Sequence, residues 1–136
     1  MVQIVGTYKL EKNEKLDEFY QELGVPWIAR KLMLTSSPTM YITLDEEEQY
    51  DFKTVSFLKT TEISFKLNEP YEETMPNGEV FESLTTLEGG NKFTTKSESE
   101  GVVAFERIYE FNDDGMVMTL KSPKGLEAKR YFKRLQ

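Results

Sequence analysis

From residue 39 onward the chain is cut at roughly ten-residue intervals by clusters of turn-forming residues. They fall at Asp45–Glu48, Asn68–Pro70, Pro76–Gly78, Glu88–Asn91, Ser97–Gly101, Asn112–Gly115 and Ser122–Gly125. Gly and Asn supply left-handed turn dihedrals, and Pro stops a hydrogen-bonded ladder. Short strands at this spacing point to an antiparallel meander rather than a βαβ array. Strands are expected near 5–11, 39–44, 49–55, 58–67, 71–75, 79–87, 92–97, 102–111, 115–121 and 126–135.

Residues 15–36 interrupt this rhythm. Leu16, Phe19, Tyr20 and Leu23 recur at helical spacing, Gly24 is suited to a C-terminal cap, and Pro26 opens a second helical stretch, Trp27–Leu34. A sheet of ten short strands leaves two edges open unless it closes. Closure gives a barrel wide enough to hold something, and a helix-turn-helix between the first two strands is placed to cover one open end.

Composition narrows the chemistry. With 136 residues and no Pro/Gly/Ser-rich linker, one domain over 1–136 is expected. There is no Cys and no His, which removes thiolate nucleophiles, Ser-His-Asp hydrolysis and Cys- or His-ligated metals. No cofactor motif is present, so neither enzyme activity nor a cofactor or metal is expected. The net charge of −7 opposes phosphate backbones, and only four Arg are available, so no nucleic-acid partner is expected. The run Asp45-Glu46-Glu47-Glu48 lacks the alternating spacing of a calcium loop and reads as a solvated turn. No apolar h-region or 18-residue apolar run occurs, so the expected compartment is the cytosol.

Side-chain alternation sorts the last three strands into faces. Val103, Phe105, Arg107, Tyr109 and Phe111 share one row, Met116, Met118 and Leu120 a second, and Leu126, Ala128, Arg130 and Phe132 a third. Two of the four Arg therefore interrupt apolar, inward rows on strands flanking a common neighbour. Their backbones would lie roughly 10 Å apart, within reach of one shared anion. A buried guanidinium needs a counter-charge. Either a bound carboxylate supplies it, or an internal acid such as Glu73 does. Met40, Met116 and Met118 suit an adaptable apolar wall or an ordinary core. Arg30 and Lys31, with Lys59 nearby, make a small basic patch, read either as a solvated helix face or as a transient contact with anionic membranes.

The chain resembles the intracellular lipid-binding proteins, the fatty acid-binding protein family. The resemblance rests on Gly6-Thr7-Tyr8-Lys9-Leu10, Leu16-Asp17-Glu18-Phe19, Leu23–Lys31 with Pro38-Thr39-Met40, Lys59–Leu67 with Tyr71–Thr74 and Pro76-Asn77-Gly78, and Arg130–Lys133. It implies a ten-stranded up-and-down barrel of two near-orthogonal sheets, capped by two helices, carrying one long-chain fatty acid or a similar hydrophobic carboxylate. It implies Arg107 and Arg130 as the carboxylate site. It also implies a cavity lined by Leu16, Phe19, Met40, Thr54, Ser56, Phe105, Met116, Met118, Leu120 and Phe132, and a portal at Trp27, Leu32, Leu58 and Pro76. Phe132 stands where the family usually has Tyr, removing one phenolic hydrogen bond, and Lys15, Leu16 and Glu79 also depart from its pattern. A retinoid carrier on the same barrel is the nearest competing expectation. A membrane-associated structural protein is disfavoured by the acidic charge. A monomer is expected, because a closed barrel has no edge that demands a partner.

Overall fold

The computed structural model describes residues 3–74 and 79–135. The chain runs β1 (Gly6–Glu14), α1 (Leu16–Glu22), α2 (Trp27–Thr35), β2 (Thr39–Leu44), β3 (Gln49–Val55), β4 (Thr60–Lys66), β5 (Tyr71–Thr74), β6 (Val80–Glu88), β7 (Lys92–Ser99), β8 (Val102–Phe111), β9 (Gly115–Lys121) and β10 (Glu127–Arg134). All pairings are antiparallel, in the order β4-β3-β2-β1-β10-β9-β8-β7-β6-β5. The ten strands therefore form one continuous sheet curled into a nearly closed barrel. Its seam is β1 against β10, and β4 and β5 are the two ends of the ladder.

The seam is fastened by side chains. Tyr8 is fully buried and donates its hydroxyl proton to the Ile4 carbonyl at 2.6 Å. The Arg134 guanidinium lies over the Tyr8 ring and donates to the Tyr8 hydroxyl and to the Gln3 and Val5 carbonyls.

β1 continues past its expected end at Glu11 as far as Glu14, because pairing with β10 survives an irregularity there. Leu10 pairs with Phe132, Lys12 with Tyr131 and Asn13 with Arg130, leaving Glu11 as the extra residue. Such a bulge reverses the alternation beyond it. A second shift, between Ser97 and Glu98, faces Phe105 and Val103, and Val103 is exposed instead of sharing the inner row.

Inside the barrel, buried aromatic rings gather around Phe93. It meets Tyr50, Phe65 and Phe111 edge to face, with Phe52 tilted beside it. Burying each such side chain contributes about 1.5–3 kcal/mol.

The helices differ. α1 starts from Lys15 in the left-handed region (φ 57°) with no side-chain cap, while Asp17 and Glu18 in the first turn complement the helix dipole. It buries Leu16 and Phe19 and ends at Gly24 (φ 85°), whose N–H meets the Gln21 carbonyl while that of Val25 meets Tyr20. Leu23, expected on the buried face, is exposed because the helix has already ended. α2 buries no residue at all: Trp27, Ile28 and Leu32 face outward.

Candidate ligand site

β9 is the common neighbour of the two Arg strands. On its two sides Arg107 pairs with Leu120 and Arg130 with Met118, so all four side chains belong to the inner face. The two guanidiniums have different surroundings.

Arg107 already has a counter-ion. One terminal nitrogen donates to Glu73 Oε1 of β5 and, at 3.1 Å, to Ser97 Oγ of β7. The two side chains are 12% and 3% exposed, so this is a buried pair. Glu73 also accepts from Ser83 Oγ at 2.7 Å, and Ser83 and Ser97 hydroxyls bond each other at 2.8 Å. Beside them, Tyr71, Thr85 and Thr95 hydroxyls form a second chain, at 2.8 and 2.7 Å. Buried polar groups closed on one another in this way avoid the cost of lost hydration. The exception is Arg107 Nε, which is buried with no hydrogen-bond partner among the described residues. Burial alone draws the Arg107 pKa down; Tyr109 and Glu73 outweigh it, so the group is held above its ordinary value and remains cationic.

Arg130 has no such acid. Among the described residues no carboxylate comes within ion-pair distance of it. Its Nε donates to Asn13 Oδ1 at 2.9 Å, and its guanidinium lies 5.7 Å from the centre of the Phe132 ring. Desolvation lowers its pKa, which measures the cost of holding an unneutralised cation there. The group remains charged, because a guanidinium starts far above neutral pH.

Arg130 also lines a cleft of about 120 Å³ beneath the lid, together with Leu16, Tyr20, Met33, Ser36, Pro38, Thr54, Ser56, Leu58, Lys59 and Thr61. The structure thus gathers Arg130, Leu16, Thr54, Ser56 and Leu58 from the expected site around one opening. Phe19, Met40, Phe105, Met116, Met118, Leu120 and Phe132 are buried in the core behind it. Trp27 and Leu32 sit exposed on α2 above, and Pro76 lies outside the described residues. A wider groove of about 430 Å³ between β1 and the end of α2 is open to solvent and contains neither inner Arg.

The expected basic patch is reduced. Arg30 Nε donates to Asp17 at 2.8 Å and Nη1 to the Val25 carbonyl at 2.8 Å, which ties α2 to α1. Lys31 lies over the Trp27 ring. Asn13 was not anticipated as part of the site, since the first strand was expected to end at residue 11; continued in unbroken register, it would have placed Lys12 rather than Asn13 opposite Arg130.

Burial also pushes the Tyr71 pKa from 10.0 up to about 12, the hydrogen bond with Thr85 offsetting part of the rise. The folded protein holds this proton more tightly than the unfolded chain. The resulting stabilisation is whole below pH 10.0 and is lost as pH rises towards about 12. An alkaline titration followed by phenolate absorbance should show a late phase that Tyr71→Phe diminishes. A wild-type curve with no phase above the ordinary tyrosine range would contradict this.

Comparison with known proteins identifies the family. The Lipocalin / cytosolic fatty-acid binding protein family matches residues 5–121. A fatty acid-binding protein of Tyrophagus putrescentiae is 38% identical over 134 residues, covering 98% of this chain and 99% of that protein. The cellular retinoic acid-binding protein 1 of Gallus gallus is 30% identical over 131 residues, covering 88% of this chain and 96% of that protein. Among solved structures, the Schistosoma mansoni fatty acid binding protein in complex with arachidonic acid superposes with a TM-score of 0.88 at 26% identity, covering 97% of this chain and 96% of that one. In the described residues no helix is long and apolar enough to cross a membrane. The chain belongs to the Lipocalin / cytosolic fatty-acid binding protein family.

Proposed function

We propose that the chain is a monomeric cytosolic carrier of one long-chain fatty acid, or a similar hydrophobic carboxylate, with the carboxylate held at Arg130. The observation that carries this reading is the unneutralised guanidinium at the wall of a cleft under the lid. A carboxylate there accepts charge-assisted hydrogen bonds and restores neutrality. The apolar tail gains about 25 cal/mol for each Å² of surface taken out of water. The cleft of about 120 Å³ is smaller than such a tail, so the lid and the Met-rich wall open and repack around it. Arg107 serves the same ligand in a lesser way, because Glu73 already compensates its charge. Retinoic acid shares the carboxylate and apolar body and is the second ligand to test, given the similarity to the Gallus gallus protein.

The test is a titration of oleic and retinoic acids into wild type, Arg130→Gln and Arg107→Gln, with bound lipid identified by native mass spectrometry. A one-to-one complex is expected, weakened tenfold or more by Arg130→Gln, since a hydrogen bond to a charged group contributes about 1.5–3 kcal/mol. Arg107→Gln should weaken it less. Equal affinity in wild type and Arg130→Gln would remove the head group from Arg130, and no binding of either acid would remove the carrier reading.

A further inference from the structure

The inner wall of this barrel holds two cations treated in opposite ways. Arg107 is met by an acid, Glu73. Arg130 is met by an amide, Asn13, whose oxygen accepts the Nε proton at 2.9 Å. A guanidinium has five N–H donors, and the Nε bond leaves the four on its two terminal nitrogens. An amide fixes the plane of the group while adding no charge. A carboxylate in the same place would fix it equally well and cancel its attraction for an anion.

That an amide stands here depends on one extra residue. Leu10 pairs with Phe132 and Asn13 with Arg130, three residues along β1 against two along β10. In unbroken register Lys12 would oppose Arg130, setting two cations face to face. The bulge at Glu11 turns Lys12 to the outer face, where its ammonium lies over the Tyr131 ring, 4.7 Å from the centroid. It brings the neutral Asn13 inward instead. On the other side, Phe132 offers only a ring face to the guanidinium. Asn13 is the one side chain with a hydrogen bond to Arg130 among the described residues.

We infer that Asn13, delivered by the β1 bulge, is the residue that sets the head-group preference of this carrier: it orients Arg130 while keeping it unneutralised, so that the pocket selects anionic over neutral-headed lipids. This rests on the reading that Arg130 holds the carboxylate. Asn13 is a positioning residue and acts through the guanidinium.

The experiment compares hexadecanoic acid with 1-hexadecanol, which differ only at the head. Dissociation constants for both are measured by displacement of a fluorescent fatty-acid analogue from wild type, Asn13→Asp, Asn13→Ala and Arg130→Gln, with thermal melts alongside. Asn13→Asp should lower the acid-over-alcohol preference tenfold or more while alcohol affinity stays within twofold. Asn13→Ala should lower it severalfold, and remains informative if the Asp variant folds poorly. A preference unchanged in both Asn13 variants but lowered in Arg130→Gln would overturn the role of Asn13 and leave the carboxylate at Arg130. A preference unchanged in Arg130→Gln would overturn both.

Discussion

Glu73→Gln is expected to destabilise the ligand-free protein by about 3–5 kcal/mol, the usual cost of removing one partner from a buried ion pair. The size follows from the surroundings. Glu73 and Arg107 are both largely closed off from solvent, and Glu73 is also the acceptor for Ser83. The Gln side chain preserves shape and can still accept from Ser83, but it leaves the Arg107 charge uncompensated next to an Nε that already has no partner among the described residues. Chemical denaturation of the ligand-free protein reads the loss. Ligand gives a second readout. With Glu73 neutralised, Arg107 becomes a second free cation on the inner face, and a fatty-acid anion can compensate it. Saturating fatty acid should therefore raise the Tm of Glu73→Gln by more than that of wild type. A variant as stable as wild type would show that the pair contributes nothing net; equal ligand-induced shifts would keep Arg107 out of head-group recognition.

The second large effect is expected at Gly115, the first residue of β9, which is paired with Lys133 of β10. A Cβ there would fall 2.0 Å from the Phe132 carbonyl oxygen and 3.0 Å from its carbon. Overpacking by one methyl ordinarily costs about 1–3 kcal/mol when side chains can give way. Here the obstacle is backbone held in a ladder, so Gly115→Ala should lie at or beyond the top of that range, lowering Tm by roughly 10 °C. Because Arg130 is two residues from Phe132, the same strand shift should weaken fatty-acid binding as well. A melt within a degree or so of wild type would mean that β9 and β10 part at little cost.

The meander was legible because its signals are local. Turn residues and period-two alternation lie within a few positions of one another, and β2, β3, β8 and β9 fall where those signals put them. Parity also brought Arg107 and Arg130 to one face, as their pairing with Leu120 and Met118 requires. What escaped is non-local. Glu73 is legible as a possible internal counter-charge, but which Arg it meets is not: it is 34 residues from Arg107, and β6 and β7 lie between β5 and β8 in the sheet, so only the curl of the barrel brings the pair together. Asn13 escaped because the first strand was expected to end at residue 11, and the bulge at Glu11, past which the pairing continues and Asn13 turns inward, leaves no compositional mark. Arg30 read as an available charge because its partner Asp17 sits on the preceding helix, 13 residues away.

The seam between the first and last strands has a consequence for how the barrel is made. Tyr8 and Arg134, which touch across it, are separated by 126 positions in the chain. Contacts of such high sequence separation slow folding, because a long loop must be closed before they form. During synthesis, β1 has no ladder partner on this side until β10 has been made. Until then Leu10 and its neighbours present an open apolar edge, which makes the growing chain a client for protection against aggregation. Weakening the Tyr8–Arg134 clasp should thus reduce the yield of folded protein in the cell.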